Sequence, residues 1–376
     1  MIYHREICGP QDREVLVKDP YTGEIKKMLM FGSNSYLGIS NHPYLKEKII
    51  EAMEKFGPAL GGPRSLNGST SLHLELEKKL AELKNKEEAI IFSSGYSANF
   101  GIGSTLFLRK DFVLLDELMH ASFIDGLKYS QAQFRLFRHN DIEHLEELLK
   151  SIDKGNNDVY VVTESVFSMD GDIGKIDKIL KLKETYNFIL IVDDAHGLGV
   201  IGEKGHGVHE HFHTDDIDII MGTFSKALAG AGGYVVANKD IIQYIRYFAR
   251  SYFFSASLPP VSVALVLASL ELLEKENWRV VKLRENSKLC LTLLNEKGIS
   301  AKSETCIIPV ILPGTHNIRK IGRAIHERGI FLNTIEEPSV PRGMQRFRIN
   351  IMPNHTEEDI RTLASVMADI FKHFHK

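Results

Sequence analysis

The stretch Phe188-Ile-Leu-Ile-Val-Asp-Asp-Ala-His-Gly-Leu-Gly199 is an unbroken apolar run that stops abruptly at two carboxylates and a histidine. A continuous run of that length, closed by glycines, is what a strand buried on both faces requires. The pattern recurs outward in both directions. Similar runs occupy 89–92, 112–115, 159–162, 217–221 and 234–237, and stretches of helical period at 71–83, 141–151 and 177–186 lie among them. Strands alternating with helices predict an α/β fold, a mainly parallel sheet covered on both faces. Beyond Glu271 a long charged helical stretch reaches about 297, followed by strand-like 307–312, a helix near 318–328, strand-like 346–351 and a last helix from Thr356. That half reads as a smaller α+β domain. Ligands of open α/β sheets sit beyond the carboxyl ends of the strands, so chemistry is sought just after each apolar run.

Composition narrows the function classes. The chain has 376 residues, 43% hydrophobic and 25% charged, ordinary values for a folded globular protein. Its formal charge of −3 supplies no global field for nucleic acid or an anionic membrane, so any anionic ligand needs a local pocket. Cys8, Cys290 and Cys306 are scattered and form no CxxC, which argues against a disulfide framework or a metal site and fits the cytoplasm. The first residues, Met-Ile-Tyr-His-Arg-Glu-Ile-Cys, lack the basic and apolar segments of a signal peptide. Residues 251–270 carry no charge and approach spanning length, but Pro259 and Pro260 break them. The remainder, 261–273, reads as a buried or amphipathic helix, with no integral membrane association expected.

Three of the runs end in polar clusters, each with competing readings. Residues 89–92 lead into Ser93-Ser94-Gly95-Tyr96-Ser97, either an ordinary N-cap or a helix start whose free N–H groups cradle a phosphate. The Asp193-Asp-Ala-His196 cluster admits a helix cap or a helicase-type acidic box, although no GxxxxGK[ST] run accompanies it. It also admits a dinucleotide loop, Gly197-x-Gly199-x-x-Gly202, which Glu203-Lys-Gly-His-Gly207 continues poorly as a helix. In a further reading Asp193 pairs with a protonated ring nitrogen and His196 with another ring substituent. Residues 217–221 lead into Gly222-Thr-Phe-Ser-Lys226-Ala-Leu-Ala-Gly230, where the lysine is either solvated or a desolvated amine able to form a Schiff base. Together the clusters supply a phosphate cradle, a carboxylate for a ring nitrogen and an amine for an aldehyde. Those are the handles of pyridoxal 5′-phosphate (PLP).

Ordered motifs from about Phe31 to Leu273 carry a family resemblance. They are Phe31-Gly-Ser-Asn-Ser-Tyr-Leu-Gly38, Gly61-Gly-Pro-Arg-Ser-Leu-Asn-Gly68 with His73 and Leu76-Glu77, Asp116-Glu-Leu-Met-His-Ala-Ser122, Glu164-Ser-Val-Phe-Ser-Met-Asp-Gly-Asp172, Asp193-Asp-Ala-His196, Gly222-Thr-Phe-Ser-Lys226 and Phe254-Ser-Ala-Ser257, resuming at Arg346-Phe-Arg348 and His355-Thr356. The sequence resembles the α-oxoamine synthases, fold-type I PLP transferases that join an amino acid to an acyl thioester with loss of carbon dioxide. Within that family it is similar to the bacterial serine palmitoyltransferases and to the 8-amino-7-oxononanoate synthases of biotin biosynthesis. Ser165 and Pro63 depart from the usual pattern, standing where glycine is common and inside the glycine-rich loop.

The resemblance implies that Lys226 carries the cofactor and moves protons, and that Asp193 holds the ring nitrogen protonated. It also implies that His120 stacks on the ring, with His196 and Ser168 near its phenolic oxygen. Ser94, Gly95, Tyr96 and Thr223 would hold the phosphate, joined by Ser255 of a neighbouring subunit in a homodimer. Arg348 would grip the substrate carboxylate beside Asn34. Expected substrates are an amino acid, serine first with glycine or alanine as alternatives, and an acyl-CoA or other acyl thioester. A fold-type I aminotransferase is the runner-up activity. The expected division is an N-terminal segment 1–44 joined to a small domain 276–376, with a PLP-binding domain at 45–275.

Overall fold

A computed structural model of the chain describes residues 5–153, 155 and 157–374. It separates into two compact units, one of Met1–His42, Ser168–Asp172 and Glu276–Lys376, the other of Pro43–Phe167 and Ile173–Lys275.

The larger unit holds a seven-stranded sheet. Its strands lie in the order Glu88–Phe92, Gly233–Ala237, Ile219–Thr223, Ile189–Asp193, Val159–Glu164, Phe112–Asp116, Gln133–Phe137. Gly233–Ala237 runs against both its neighbours, and the strands from Ile219–Thr223 to Gln133–Phe137 are mutually parallel. The apolar runs fall on these strands because residues such as Val162, Ile191, Ile219 and Val235 are buried in a core that helices close from outside. Gln133–Phe137 is the edge, exposed except at Phe137, and its Gln133 and Arg135 blunt an otherwise sticky strand. The uncharged stretch is divided between the short helix Arg250–Phe253, a loop, and the helix Pro260–Lys275, which has proline in its first turn where the missing N–H costs nothing. Among the described residues no helix is long and apolar enough to cross a membrane.

The helical stretch expected beyond Glu271 is two helices. The first ends at Lys275, the second spans Trp278–Glu296, and the boundary between the units falls at Glu276.

In the smaller unit, Arg346–Asn350 sits between Ile307–Ile311 and Asn333–Ile335, antiparallel to both. A second sheet orders Glu6–Ile7, Glu14–Lys18, Ile25–Met30 and Ile330–Phe331, so the N-terminal segment is paired directly with the C-terminal half. His355 fastens that pairing. Its Nδ1 accepts from the Met352 N–H at 3.1 Å, which leaves Nε2 as the donor to the Met30 carbonyl at 2.8 Å, and the ring stacks on Phe31 at 4.2 Å. Burial lowers the pKa of this imidazole to about 4.

The units depart from the 45–275 division at two places: Pro43 and Tyr44 group with the larger unit, and Ser168–Asp172 with the smaller. The buried Arg346 guanidinium needs an anion and acceptors, and takes Asp170 at 2.6 Å and the Met169 carbonyl at 2.9 Å. Thr305 Oγ1 and Ser303 Oγ donate to the Gly171 carbonyl at 2.9 and 3.2 Å.

Candidate active site

In the larger unit the helix Gly95–Thr105 starts directly after its strand. Ser94 caps it in extended conformation, its hydroxyl accepting from the Ser97 N–H at 3.0 Å. The N-cap and cradle readings of this segment are therefore compatible. A Cβ on Gly95 would stand 3.0 Å from Thr223 Cβ and Oγ1, and one on Gly233 would stand 2.7 Å from Gly95 Cα. Two glycines thus let the strand ends close on the first helical turn and bring Thr223 beside it, its hydroxyl donating to the Gly232 carbonyl at 2.9 Å. Ser225 lies beside it, its hydroxyl 2.9 Å from that of Thr223. Backbone N–H groups of the first turn and the helix dipole favour an anion there. The Tyr96 hydroxyl is turned away to Asp125 at 2.7 Å, so its backbone N–H is what remains to offer. Ser255 lines a small recess with Ser93 and Arg64 of its own chain. Pro63 opens a turn whose carbonyl takes the Leu66 and Gly68 N–H groups, and Ser257 N–H donates to the Gly62 carbonyl at 3.0 Å.

The two carboxylates at the end of Ile189–Asp193 have separate fates. Asp194 is locked with Lys84, both side chains fully buried and 2.7 Å apart. A Cβ on Gly197 or Gly207 would fall 2.0 or 2.1 Å from the Asp194 carboxylate. Those glycines therefore enclose an ion pair, which removes the dinucleotide-loop reading, and the helix that follows is only Val208–His211. Asp193 is the available carboxylate. Its Oδ1 accepts from the Ala195 N–H at 2.9 Å and its Oδ2 from Asn99 Nδ2 at 2.7 Å.

Lys226 is half-buried in the turn after Ile219–Thr223, and its charge reaches both His120 and Glu164. His120 caps the helix Ala121–Tyr129, its Nδ1 accepting from the Ser122 N–H. Desolvation of the imidazole is the largest influence on its pKa, which lies below the usual value; Asp193 opposes the shift and Lys226 adds to it. His196 is buried beyond the Asp193 strand end. Glu164, to which the sequence reading assigns no role, is buried next to Asp193 in sheet register and accepts the His120 backbone N–H at 2.8 Å. Burial first and the Asp193 charge second raise its pKa well above the carboxylate range. Ser165 Oγ is buried without a hydrogen-bond partner.

In the smaller unit Arg348 gathers Asn34 and Ser168. Its Nε donates to the Ser168 carbonyl at 2.5 Å, Nη1 to Asn34 Oδ1 at 2.7 Å and Nη2 to the Tyr36 hydroxyl at 3.1 Å. A guanidinium has five N–H groups, so these three bonds leave one on each terminal nitrogen, the pair a carboxylate takes. Burial raises the pKa of Tyr36, keeping it a neutral hydroxyl beside the arginine.

The larger unit's residues fit PLP: a glycine-walled anion cradle, a carboxylate for the ring nitrogen, a histidine able to stack and a lysine amine. No group of three or more metal-ligating side chains occurs among the described residues.

Comparisons with known proteins agree with this chemistry. The family "Aminotransferase class I and II" matches residues 26–367. The chain is 39% identical over 372 residues to a serine palmitoyltransferase of Sphingobacterium spiritivorum, covering 98% of this chain and 92% of that one. It is 40% identical over 337 residues to an 8-amino-7-oxononanoate synthase of Thermoanaerobacter pseudethanolicus, covering 89% and 85% respectively. A solved serine palmitoyltransferase with its PLP internal aldimine superposes with a TM-score of 0.93 at 30% identity, covering 100% of this chain and 94% of that one. The chain belongs to the class I and II aminotransferase family and, within it, to the α-oxoamine synthases, PLP-dependent acyltransferases of fold type I.

Proposed function

We propose that the protein condenses serine with a long-chain acyl thioester, releasing carbon dioxide, the free thiol and a 2-amino ketone. The observation that carries this reading is Arg348, a buried guanidinium with one N–H left on each terminal nitrogen for the amino acid's carboxylate. When bound, PLP supplies an electron-poor ring that takes up the electron pair left at Cα. Lys226 Nζ removes the Cα proton and later returns it to the same carbon. Asp193 keeps a proton on the ring nitrogen, which preserves that electron demand. Arg348 would hold the amino acid's carboxylate through its two remaining N–H groups. The new bond joins Cα to the acyl carbonyl carbon, the thiolate leaves and takes a proton from water, and the carboxylate departs as carbon dioxide.

The working form is a cytoplasmic homodimer, with Ser255 reaching the phosphate of a neighbour's cofactor. The exposed Phe253 and Phe254 beside it support this, since adjacent large apolar side chains in water mark a surface that a second copy covers.

Relatives of both names match this chain well, and substrates separate them. We expect serine to perturb the cofactor's absorption at lower concentration than glycine or alanine, and turnover to rise with acyl chain length. Preference for alanine with a seven-carbon acyl group ending in a carboxylate, as the carbon count of 8-amino-7-oxononanoate requires, would move the assignment to that branch.

A further inference from the structure

Two buried polar residues that no role above uses lie between His120 and Asp193. Asn99 is on the inner face of the helix Gly95–Thr105, and Ser122 is in the first turn of Ala121–Tyr129; both are nearly inaccessible. Asn99 Nδ2 donates to Asp193 Oδ2 at 2.7 Å and to Ser122 Oγ at 3.0 Å, which uses both of its hydrogens. The amide must face this way, because the flipped orientation would set its carbonyl oxygen against the Asp193 carboxylate. Asn99 Oδ1 is consequently buried with no hydrogen-bond partner. Such an orphaned acceptor is unfavourable in a packed interior, and here it accompanies a donor pair aimed at Asp193 and at the serine beside His120.

The direction of the chain then follows. Ser122 Oγ accepts from Asn99, so its single hydrogen is free to go to His120 Nδ1, 2.7 Å away. The Ser122 backbone N–H points at the same nitrogen from 3.3 Å. A nitrogen facing two donors is an acceptor, so the proton of a neutral ring sits on Nε2. The charged groups acting on this ring are Asp193, Asp125 and Lys226, with Glu164 held at its backbone N–H.

We propose that Asn99 and Ser122 are positioning residues. They form a relay, Asp193 Oδ2 to Asn99 to Ser122 to His120 Nδ1, that holds the ring-stacking histidine as the neutral Nε2–H tautomer and fixes Asp193 in the same hydrogen-bonded unit. The inference rests on the roles given above to His120 and Asp193. Its consequence is that the group above the cofactor ring adds no positive charge there, and that a disturbance at either end is felt at the other.

Nitrogen NMR of ¹⁵N-histidine-labelled holoenzyme tests this, with His120→Gln assigning the signals and the cofactor-free protein as comparison. The expected result is an unprotonated Nδ1 and a protonated Nε2 on His120 between about pH 6 and 8, where an ordinary histidine titrates. In Ser122→Ala and Asn99→Leu the ring should populate both tautomers or titrate within that range. The cofactor's visible circular dichroism should change, and kcat should fall on the order of 10- to 100-fold with KM for the amino acid little altered. Ser122→Thr, which keeps the hydroxyl, should restore the tautomer. A proton on Nδ1 or an imidazolium near pH 7 in the unmutated protein overturns the proposal, and that reading does not depend on any variant folding. Unchanged His120 signals in both folded variants overturn it equally. Failure of the functional assignment would instead appear as unaltered cofactor absorption when Asp193 or His120 itself is replaced.

Discussion

Lys226→Ala is expected to lower condensation by about 10,000-fold or more, because the proposed function gives one amine two duties: joining the cofactor and moving the Cα proton. The side chain is half-buried at the end of a strand whose stability comes from Ile219, Ile220 and Met221, so the variant should fold. Its cofactor should be held without a covalent bond, by the first turn at Gly95, Asp193 and His120 alone, wash out more readily on dialysis, and lack the absorption of a lysine-bound aldehyde. An added primary amine should restore a small part of the activity by taking over the proton transfer. Near-normal turnover in the variant would show that another group does this chemistry.

Asp193→Asn should have the second largest effect. The substitution is nearly isosteric, and Ala195 N–H can still donate to Oδ1 of the new amide. What disappears is the negative charge that keeps the ring nitrogen protonated, and the new amide nitrogen would meet the Asn99 donor head-on. Loss of one such preorganised charged contact in a water-poor site costs kcat on the order of 100- to 1,000-fold. The cofactor should remain bound, with its absorption shifted and its pyridine nitrogen deprotonated in the ¹⁵N spectrum. The same change at the neighbouring position, Asp194→Asn, should behave differently. It leaves Lys84 buried without its counter-ion and should appear mainly as lost stability. If the two substitutions had interchangeable effects, the division of labour between these carboxylates would be wrong.

Much of this was legible in the sequence where burial was complete. Strands such as Val159–Glu164 and Ile219–Thr223 are buried at every position, so an unbroken apolar run was a sufficient signal. Gln133–Phe137 carries Gln133 and Arg135 toward water, and Ile25–Met30 exposes Lys26 and Lys27; a half-solvated edge loses the signal that marks a central strand. Ser168–Asp172 could not be allotted from periodicity, because its partners Ser303, Thr305, Arg346 and Arg348 lie more than a hundred residues away. In the site, the residues proposed to contact ligand sit in short motifs and were readable. The polar residues behind them were not: Asn99 meets Asp193 across 94 positions and Glu164 meets His120 across 44. A signal was present. Asn99 interrupts a helix of otherwise small and apolar residues, and Glu164 ends a strand with no exposed face, both placements that need a partner.

The central claim is decarboxylative carbon–carbon bond formation on a PLP aminotransferase scaffold, and an isotope balance tests it most directly. Serine labelled at its carboxyl carbon should release one labelled carbon dioxide for each thiol liberated from a long-chain acyl thioester, with none when the thioester is omitted. Amino exchange between serine and a keto acid in the absence of thioester, with the labelled carboxyl retained, would contradict it.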